Sequence, residues 1–184
     1  VIFSDVGLAA ALIQKKDSLT RKDLATTFTI QQVLVTFLVI TALLLSPVIG
    51  RFYNLSPQGI GLFQALAISL ILASLKTIPA IRLERRLKFS KLIIPEILEN
   101  LCFYAVAVTL AWRGWGVTAF TWAVLARGFM GLITMYALSP WRPSLALDRE
   151  VIKKLLTFGA PFQVNSVIAF IKDKLLIAYL FKIL

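Results

Sequence analysis

The sequence predicts an all-α, polytopic bundle of transmembrane helices, on three observations. Hydrophobic residues make up 59% of the 184 residues, and the mean hydropathy is +0.84, whereas globular domains are roughly 45–50% apolar. Apolar runs of about 20 residues recur along the chain, and a helix of that length crosses a hydrocarbon core ~30 Å thick. These runs do not alternate with a period of two, which disfavours strands.

The apolar runs define the expected helices. We predict five spans after the end of an earlier helix over residues 1–14, near residues 24–49, 60–81, 92–112, 115–138 and 155–181. The chain opens on Val1 without an initiator Met or a signal peptide, and it ends on AYLFKIL without a polar tail. We therefore expect it to be part of a longer protein.

The basic residues predict how the helices are oriented. Loops 15–23, 82–91 and 139–154 carry four, five and four Lys or Arg residues, whereas the loops between them carry only Arg51 and Arg113. Short loops rich in Lys and Arg remain on the cytoplasmic side of a membrane. We therefore predict a multi-pass protein in which the three basic loops are cytoplasmic.

Composition excludes several classes of function. The net charge of +11 would suggest nucleic acid as a partner in a soluble protein, but these charges stand in short clusters between apolar runs. Cys102 is the single cysteine and there is no histidine, so we expect no disulfide and no metal site. Without a histidine base, a glycine-rich phosphate loop or a long outward loop, we do not expect an enzyme.

Arg127 is the first candidate for a functional residue, because it lies near the middle of the span over residues 115–138. A charge at that depth costs roughly 2.5–3.5 kcal/mol on insertion scales, so it needs a partner or a hydrated cavity. Gly128 and Gly131 allow a neighbouring helix to approach closely. We favour an arginine that faces a cavity and binds phosphate through its planar fork; the alternative is a structural ion pair.

Three acidic residues, Asp5, Glu96 and Glu99, are further candidates for cavity lining or charge coupling. Asp5 lies ten residues before Lys15, about 15 Å along a helix, which favours a buried acid. Glu96 and Glu99 share one helix face just after Pro95. The helix dipole would stabilise acids at that end without any role in transport.

The last span carries a narrow polar stripe that includes Asn165 and Asp173. Asp173 either lines a cavity or pairs with a neighbouring lysine. A second stripe, formed by Thr29, Gln32 and Thr36, is explained equally by hydrogen bonds between helices and by cavity lining. Several helices with one polar stripe each are typical of a bundle around a hydrated cavity.

Five segments carry a family resemblance: SDVGLAAALIQKKDSLTRKDLATTF, SPVIGRFY, IPAIRLERRLKFSKLIIPEI, LSPWRPSLAL and LLTFGAPF. In this order they resemble the polysaccharide transporter branch of the MOP flippase superfamily, which includes exporters of O-antigen and teichuronic acid. The resemblance implies two lobes of six helices that open alternately to each side of the membrane, with a cationic cavity that matches lipid pyrophosphate.

The resemblance also implies a division of the chain. Residues 1–138 correspond to the end of helix two and helices three to six of the N-terminal lobe, residues 139–154 to a cytoplasmic linker between the lobes, and residues 155–184 to helix seven. The implied protein translocates lipid-linked oligosaccharides across a bacterial cytoplasmic membrane. Its partners would be that substrate, membrane lipids and other polysaccharide assembly proteins, with H+ or Na+ as a coupling cation and no other cofactor.

Two alternatives remain at this stage. A drug or toxin exporter of the same superfamily would need an acidic cavity for cationic substrates, and an arginine at mid-membrane points the other way. A membrane polymerase or ligase that acts on lipid-linked sugars would need a large outward loop with catalytic Arg or His.

Overall fold

The structure, a computed structural model, describes residues 12–13, 19–153, 157 and 172. Within these residues the regular elements are helices, and four of them are long and apolar enough to cross a membrane. The predicted fold class, an all-α bundle of membrane helices, is confirmed.

The first helix, α1, spans Arg21–Phe52 and begins at a reciprocal cap. The Thr20 hydroxyl accepts a hydrogen bond from the Asp23 backbone N–H at 3.1 Å, and the Asp23 carboxylate accepts one from the Thr20 backbone N–H at 2.9 Å. This capping box satisfies two donors that a helix N-terminus otherwise leaves unpaired. The 32 residues of α1 rise about 48 Å, more than the hydrocarbon thickness.

The second predicted span forms two helices, α2 (Pro57–Leu75) and α3 (Thr77–Arg85), which meet at Lys76. The predicted continuous span over 60–81 and the predicted loop over 82–91 are therefore wrong in their boundaries. Helical structure continues to Arg85, and only residues 86–88 separate α3 from the next helix. Pro79 explains the break, because it has no N–H to donate to the carbonyl four residues earlier.

The remaining long helices are α4, Phe89–Trp112, and α5, Val117–Leu138. They agree with the predicted spans 92–112 and 115–138 to within three residues. The turn between them contains Gly114 and Gly116 with φ of +81° and +53°. Glycine adopts this left-handed region without the steric penalty that a Cβ would bring.

The helices pack in the order α1, α2, α5, α4, with α5 between α2 and α4 and with α3 against α4. We call the end of the bundle where α1 begins, α3 ends, α4 begins and α5 ends the basic end. It corresponds to the side that the loop charges predict to be cytoplasmic. A buried apolar cluster lies there, formed by Leu12, Leu24, Phe28, Ile78 and Ile81.

The segment after α5 runs without regular structure over residues 140–147. Helical structure resumes after Asp148, whose carboxylate accepts hydrogen bonds from the backbone N–H groups of Glu150 and Val151 at 3.0 and 3.3 Å. The two-lobe division with a linker over residues 139–154 stays a prediction. The fifth span, apart from residues 157 and 172, lies outside the described residues, as do the candidates Asp5, Asn165 and Asp173.

Candidate functional site

Two glycines bring the helices close together around Arg127. A Cβ added to Gly128 would lie 2.6 Å from Leu72 Cδ1 on α2, and one added to Gly131 would overlap the Glu99 carboxylate and lie 2.7 Å from Glu99 Cγ on α4. Ordinary van der Waals contact is wider than either distance, so no larger side chain fits without displacement. The predicted role of these glycines in close helix approach is confirmed.

Glu99 is the centre of a three-residue ionic cluster between these helices. Its Oε1 accepts a hydrogen bond from Lys76 Nζ, and its Oε2 lies 3.7 Å from Arg127 Nε. The Glu99 and Lys76 side chains are 13% and 17% exposed, whereas Arg127 is 46% exposed. We call this set the Lys76–Glu99–Arg127 cluster; its formal charge is +1.

The three residues come from three helices yet lie at the same level. Each residue is a similar distance from the helix end at the basic end of the bundle. Glu99 is ten residues from the start of α4, Arg127 is eleven residues from the end of α5, and Lys76 is nine residues from Arg85 at the end of α3. At 1.5 Å per residue these separations are between about 13 and 17 Å from the basic end. A hydrocarbon layer ~30 Å thick that began at these helix ends would have the cluster near its middle.

Lys76 was not among the candidate residues that the sequence indicated. A span that continued past residue 80 would place its side chain near the surface. Instead, Lys76 lies at the junction of α2 and α3, and its ammonium group donates a hydrogen bond to Glu99 on α4. Pro79, four residues after Leu75, is the signal in the sequence that could have located this break.

The break itself is held by hydrogen bonds from both sides. Tyr136 on α5 donates its hydroxyl proton to the Leu75 carbonyl oxygen at 3.2 Å. This is the carbonyl that lacks a helical donor because residue 79 is proline. The phenol thus replaces the missing backbone bond, as buried backbone groups require.

Two glutamines of α1 reach the same break. Gln32 Nε2 donates to Ser74 Oγ at 3.0 Å, and Gln31 Nε2 donates to Thr77 Oγ1 at 2.9 Å. Gln31 is buried and was not among the candidates from the sequence. The α1 glutamines therefore contact the residues on both sides of Lys76.

The other candidates lie in different surroundings. Thr29 is buried; its hydroxyl donates to the Ala25 carbonyl at 2.9 Å and accepts from the Ala146 backbone N–H at 3.1 Å. Thr36 and Glu96 are exposed. Thus Arg127 and Glu99 are brought together, and Gln32 contacts Ser74, two residues before their third partner Lys76. Thr29, Thr36 and Glu96 form no ion pair or side-chain hydrogen bond with the cluster among the described contacts. Whether any of them lines a transport path stays a prediction.

The cluster can bind an anion more readily than a metal. Within the described part of the chain, no three His, Cys, Asp or Glu side chains group closely enough to hold a metal ion. The Arg127 guanidinium contacts Glu99 through Nε at a distance too long for a hydrogen bond. Its remaining N–H donors can form the paired hydrogen bonds that phosphate oxygens accept.

One curated relative covers most of the chain. The Teichuronic acid biosynthesis protein TuaB of Bacillus subtilis (strain 168) is 27% identical over 168 residues, which are 90% of this chain and 34% of the relative. The chain thus spans about a third of the length of this relative. No solved structure matches the chain.

A family model agrees with the fold and with this relative. The model, described as "Polysaccharide biosynthesis protein", matches residues 1–183. It covers the four apolar helices, the ionic cluster and the segment that follows α5. The chain is a membrane protein that belongs to the polysaccharide biosynthesis protein family.

Proposed function

We propose that the protein is a flippase that carries undecaprenyl-pyrophosphate-linked oligosaccharides across the bacterial cytoplasmic membrane by alternating access. The family match and the relative named for teichuronic acid biosynthesis support a role in polysaccharide assembly. Four apolar helices place that role in a membrane. The protein would act as a transporter, not as an enzyme, and other polysaccharide assembly proteins would be its partners.

The observation that carries the proposal is the Lys76–Glu99–Arg127 cluster. A structural ion pair needs one cation for one acid, whereas here two cations share Glu99. The more exposed cation is Arg127, at 46%, so part of its guanidinium side chain is accessible beside Glu99. An excess positive charge halfway through an apolar layer is stabilised by an anionic ligand.

The geometry suggests how pyrophosphate would enter and leave. Lys76 holds Glu99 through a direct hydrogen bond, while Arg127 is only in loose contact with the same carboxylate. A pyrophosphate oxygen can therefore bind the Arg127 guanidinium while Glu99 keeps its hydrogen bond to Lys76. Binding stays reversible because Glu99 competes for the guanidinium, and alternating access requires release on the far side.

Glu99 is also the candidate for coupling to H+. Its carboxylate is the acidic group of the cluster and is held between two cations. Asp5, Asn165 and Asp173 remain proposed lining residues, with Na+ as the other possible coupling cation. The segment over residues 139–154 would join the two moving lobes.

The arrangement favours this function over an exporter of cationic drugs. Such an exporter needs an acid that is available to its substrate, and the acid of the cluster, Glu99, is already shared between two cations. A polymerase or ligase would need a large outward loop, whereas α1 and α2 are joined by residues 53–56 and α4 and α5 by residues 113–116.

The test is complementation in a host that lacks its own exporter, with surface glycan measured at matched protein levels. We expect Arg127→Ala to abolish export and Arg127→Lys to restore part of it, since lysine keeps the charge but not the paired donors. Arg113→Ala is the matched control, because this arginine is exposed in the α4–α5 turn outside the cluster. It should export normally.

Two outcomes would contradict the proposal. Normal export by both Arg127 variants would make this residue structural. Equal loss in the Arg113 and Arg127 variants would show that positive charge anywhere on the bundle matters. Uptake of labelled prenyl-pyrophosphate glycan into proteoliposomes then separates transport from an indirect effect on glycan assembly.

A further inference from the structure

A second basic site lies at the basic end of the bundle, away from the ionic cluster. It is a cavity of about 700 Å³ whose walls come from the start of α1, the end of α3 and the segment after α5. The lining residues are five arginines and four uncharged residues: Arg21, Arg82, Arg85, Arg86 and Arg142, with Leu19, Leu24, Pro140 and Trp141. We call it the arginine cavity.

The arginine cavity is built from fixed parts. Arg82 Nη1 donates to the Pro140 carbonyl oxygen at 2.7 Å, which holds the segment after α5 against α3. Trp141 packs edge-on against Phe28 of α1, with ring centroids 5.0 Å apart, and rests on the buried cluster of the basic end. Arg85 is also anchored, through a 2.7 Å bond from its Nη1 to the Leu12 carbonyl oxygen.

No acidic side chain lines this cavity among the described residues. The nearby Asp23 is buried and caps α1 with Thr20. Glu84, on α3, is not part of the wall, and burial raises its pKa above the ordinary value of 4.5, which disfavours its negative charge. Five guanidinium groups around one concavity create a region of positive potential, which attracts an anion.

The surroundings indicate a ligand that carries an apolar tail. Leu19, Leu24 and Trp141 give the cavity an apolar wall beside the guanidinium groups. Leu87, directly after Arg86, is 75% exposed, and Leu145, three residues after Arg142, is 77% exposed. Exposed leucines close to arginines at the ends of apolar helices are typical of the part of a membrane protein that lies among lipid headgroups.

We infer that the arginine cavity binds the phosphate of a lipid headgroup at the basic end of the bundle. Arginine suits this group because its planar fork binds two phosphate oxygens at once. Since the walls join α1, α3 and the segment after α5, a bound headgroup ties that segment to the bundle. The inference does not depend on the proposed transport function, and it concerns residues outside the Lys76–Glu99–Arg127 cluster.

Native mass spectrometry of the intact protein in detergent tests the inference. The probes are dioleoylphosphatidylglycerol, the zwitterionic dioleoylphosphatidylcholine, farnesyl diphosphate and inorganic pyrophosphate. The variant is Arg21→Ala with Arg142→Ala, because both arginines are exposed and their loss disturbs no buried contact. The matched control is Lys22→Ala with Arg149→Ala, which removes two exposed charges close to them in the chain but outside the cavity.

We expect phosphatidylglycerol to bind more tightly than phosphatidylcholine, and the cavity variant to weaken this binding at least about tenfold. The control should stay within about threefold of the unmodified protein. Arg21→Lys with Arg142→Lys keeps both charges and should give intermediate binding, while unchanged thermal unfolding verifies that each variant is folded.

The arms of the experiment separate the sources of phosphate. If farnesyl diphosphate binds through the cavity arginines and phosphatidylglycerol does not, the site is supported and its headgroup is a prenyl diphosphate. Equal binding of inorganic pyrophosphate would overturn the requirement for a lipid. Equal weakening in the cavity and control variants, or no phosphate binding that depends on the cavity arginines, would overturn the site itself.

Discussion

Replacing Glu99 by Gln would remove the acid that two cations share inside the apolar bundle. The Lys76 and Glu99 side chains are 17% and 13% exposed and hydrogen-bonded, so this half of the cluster approaches a buried ion pair. Breaking a buried pair by removing one partner costs about 3–5 kcal/mol. Because the partners here are partly exposed, we expect Glu99→Gln to lower the free energy of unfolding by about 3 kcal/mol.

The two halves of the cluster should contribute unequally. Arg127 Nε lies 3.7 Å from Glu99 and its side chain is 46% exposed, so this contact resembles an exposed pair worth below about 1 kcal/mol. The Lys76–Glu99 pair should show a coupling free energy of about 2 kcal/mol. That exceeds the ~0.6 kcal/mol average for hydrogen bonds between membrane helices.

The assay is a pair of double-mutant cycles on the intact protein, with unfolding followed in mixed micelles as denaturing detergent is added. One cycle combines Lys76→Met with Glu99→Gln, and the other combines Arg127→Gln with Glu99→Gln. We assign Lys76 as the structural partner of Glu99 and Arg127 as the ligand-binding group. This assignment is refuted if the Lys76–Glu99 coupling is at or below ~0.6 kcal/mol. It is also refuted if the Arg127–Glu99 coupling is as large as the Lys76–Glu99 coupling.

Three further predictions use the same unfolding measurement. Gly131→Ala should lower the free energy of unfolding by about 1–3 kcal/mol, because the added methyl group would overpack against the Glu99 carboxylate, which is held between two cations. Gly128→Ala should cost less, because its nearest contact is the end of the Leu72 side chain, which can rotate. A larger cost for Gly128→Ala would contradict this packing. Tyr136→Phe should lower the free energy of unfolding by about 1 kcal/mol, because it removes the hydrogen bond to the Leu75 carbonyl. The cost should be smaller when Pro79 is also replaced by Ala, since the new backbone N–H can bond to the same carbonyl. An unchanged cost would show that the break has another cause. Burial raises the pKa of Glu84 in the folded state, which favours its neutral form there. The stabilising contribution of this group is therefore present below its unfolded-state pKa and is lost as pH rises through the folded-state pKa. Glu84→Gln should accordingly raise the melting temperature at pH 7, and this gain should vanish towards pH 4.

The sequence alone predicted the class of the molecule and the course of most of its helices. Helix length in a membrane is set by hydrocarbon thickness, so apolar runs located α1, α4 and α5 to within three residues. Arg127 and Glu99 could be selected for the same reason, since a charge inside such a run needs a specific partner. The motifs in loops and at helix ends pointed to the family that the comparisons then showed.

The tertiary structure decided which of these charges meet. The pairing of Lys76 with Glu99 depends on a break at Lys76, and Tyr136 and Gln32 contact that break from other helices. The arginine cavity likewise joins residues more than 50 positions apart, such as Arg82 and Pro140. Hydropathy and charge depend on local composition and can be read along the chain, whereas these contacts depend on which helix faces pack together.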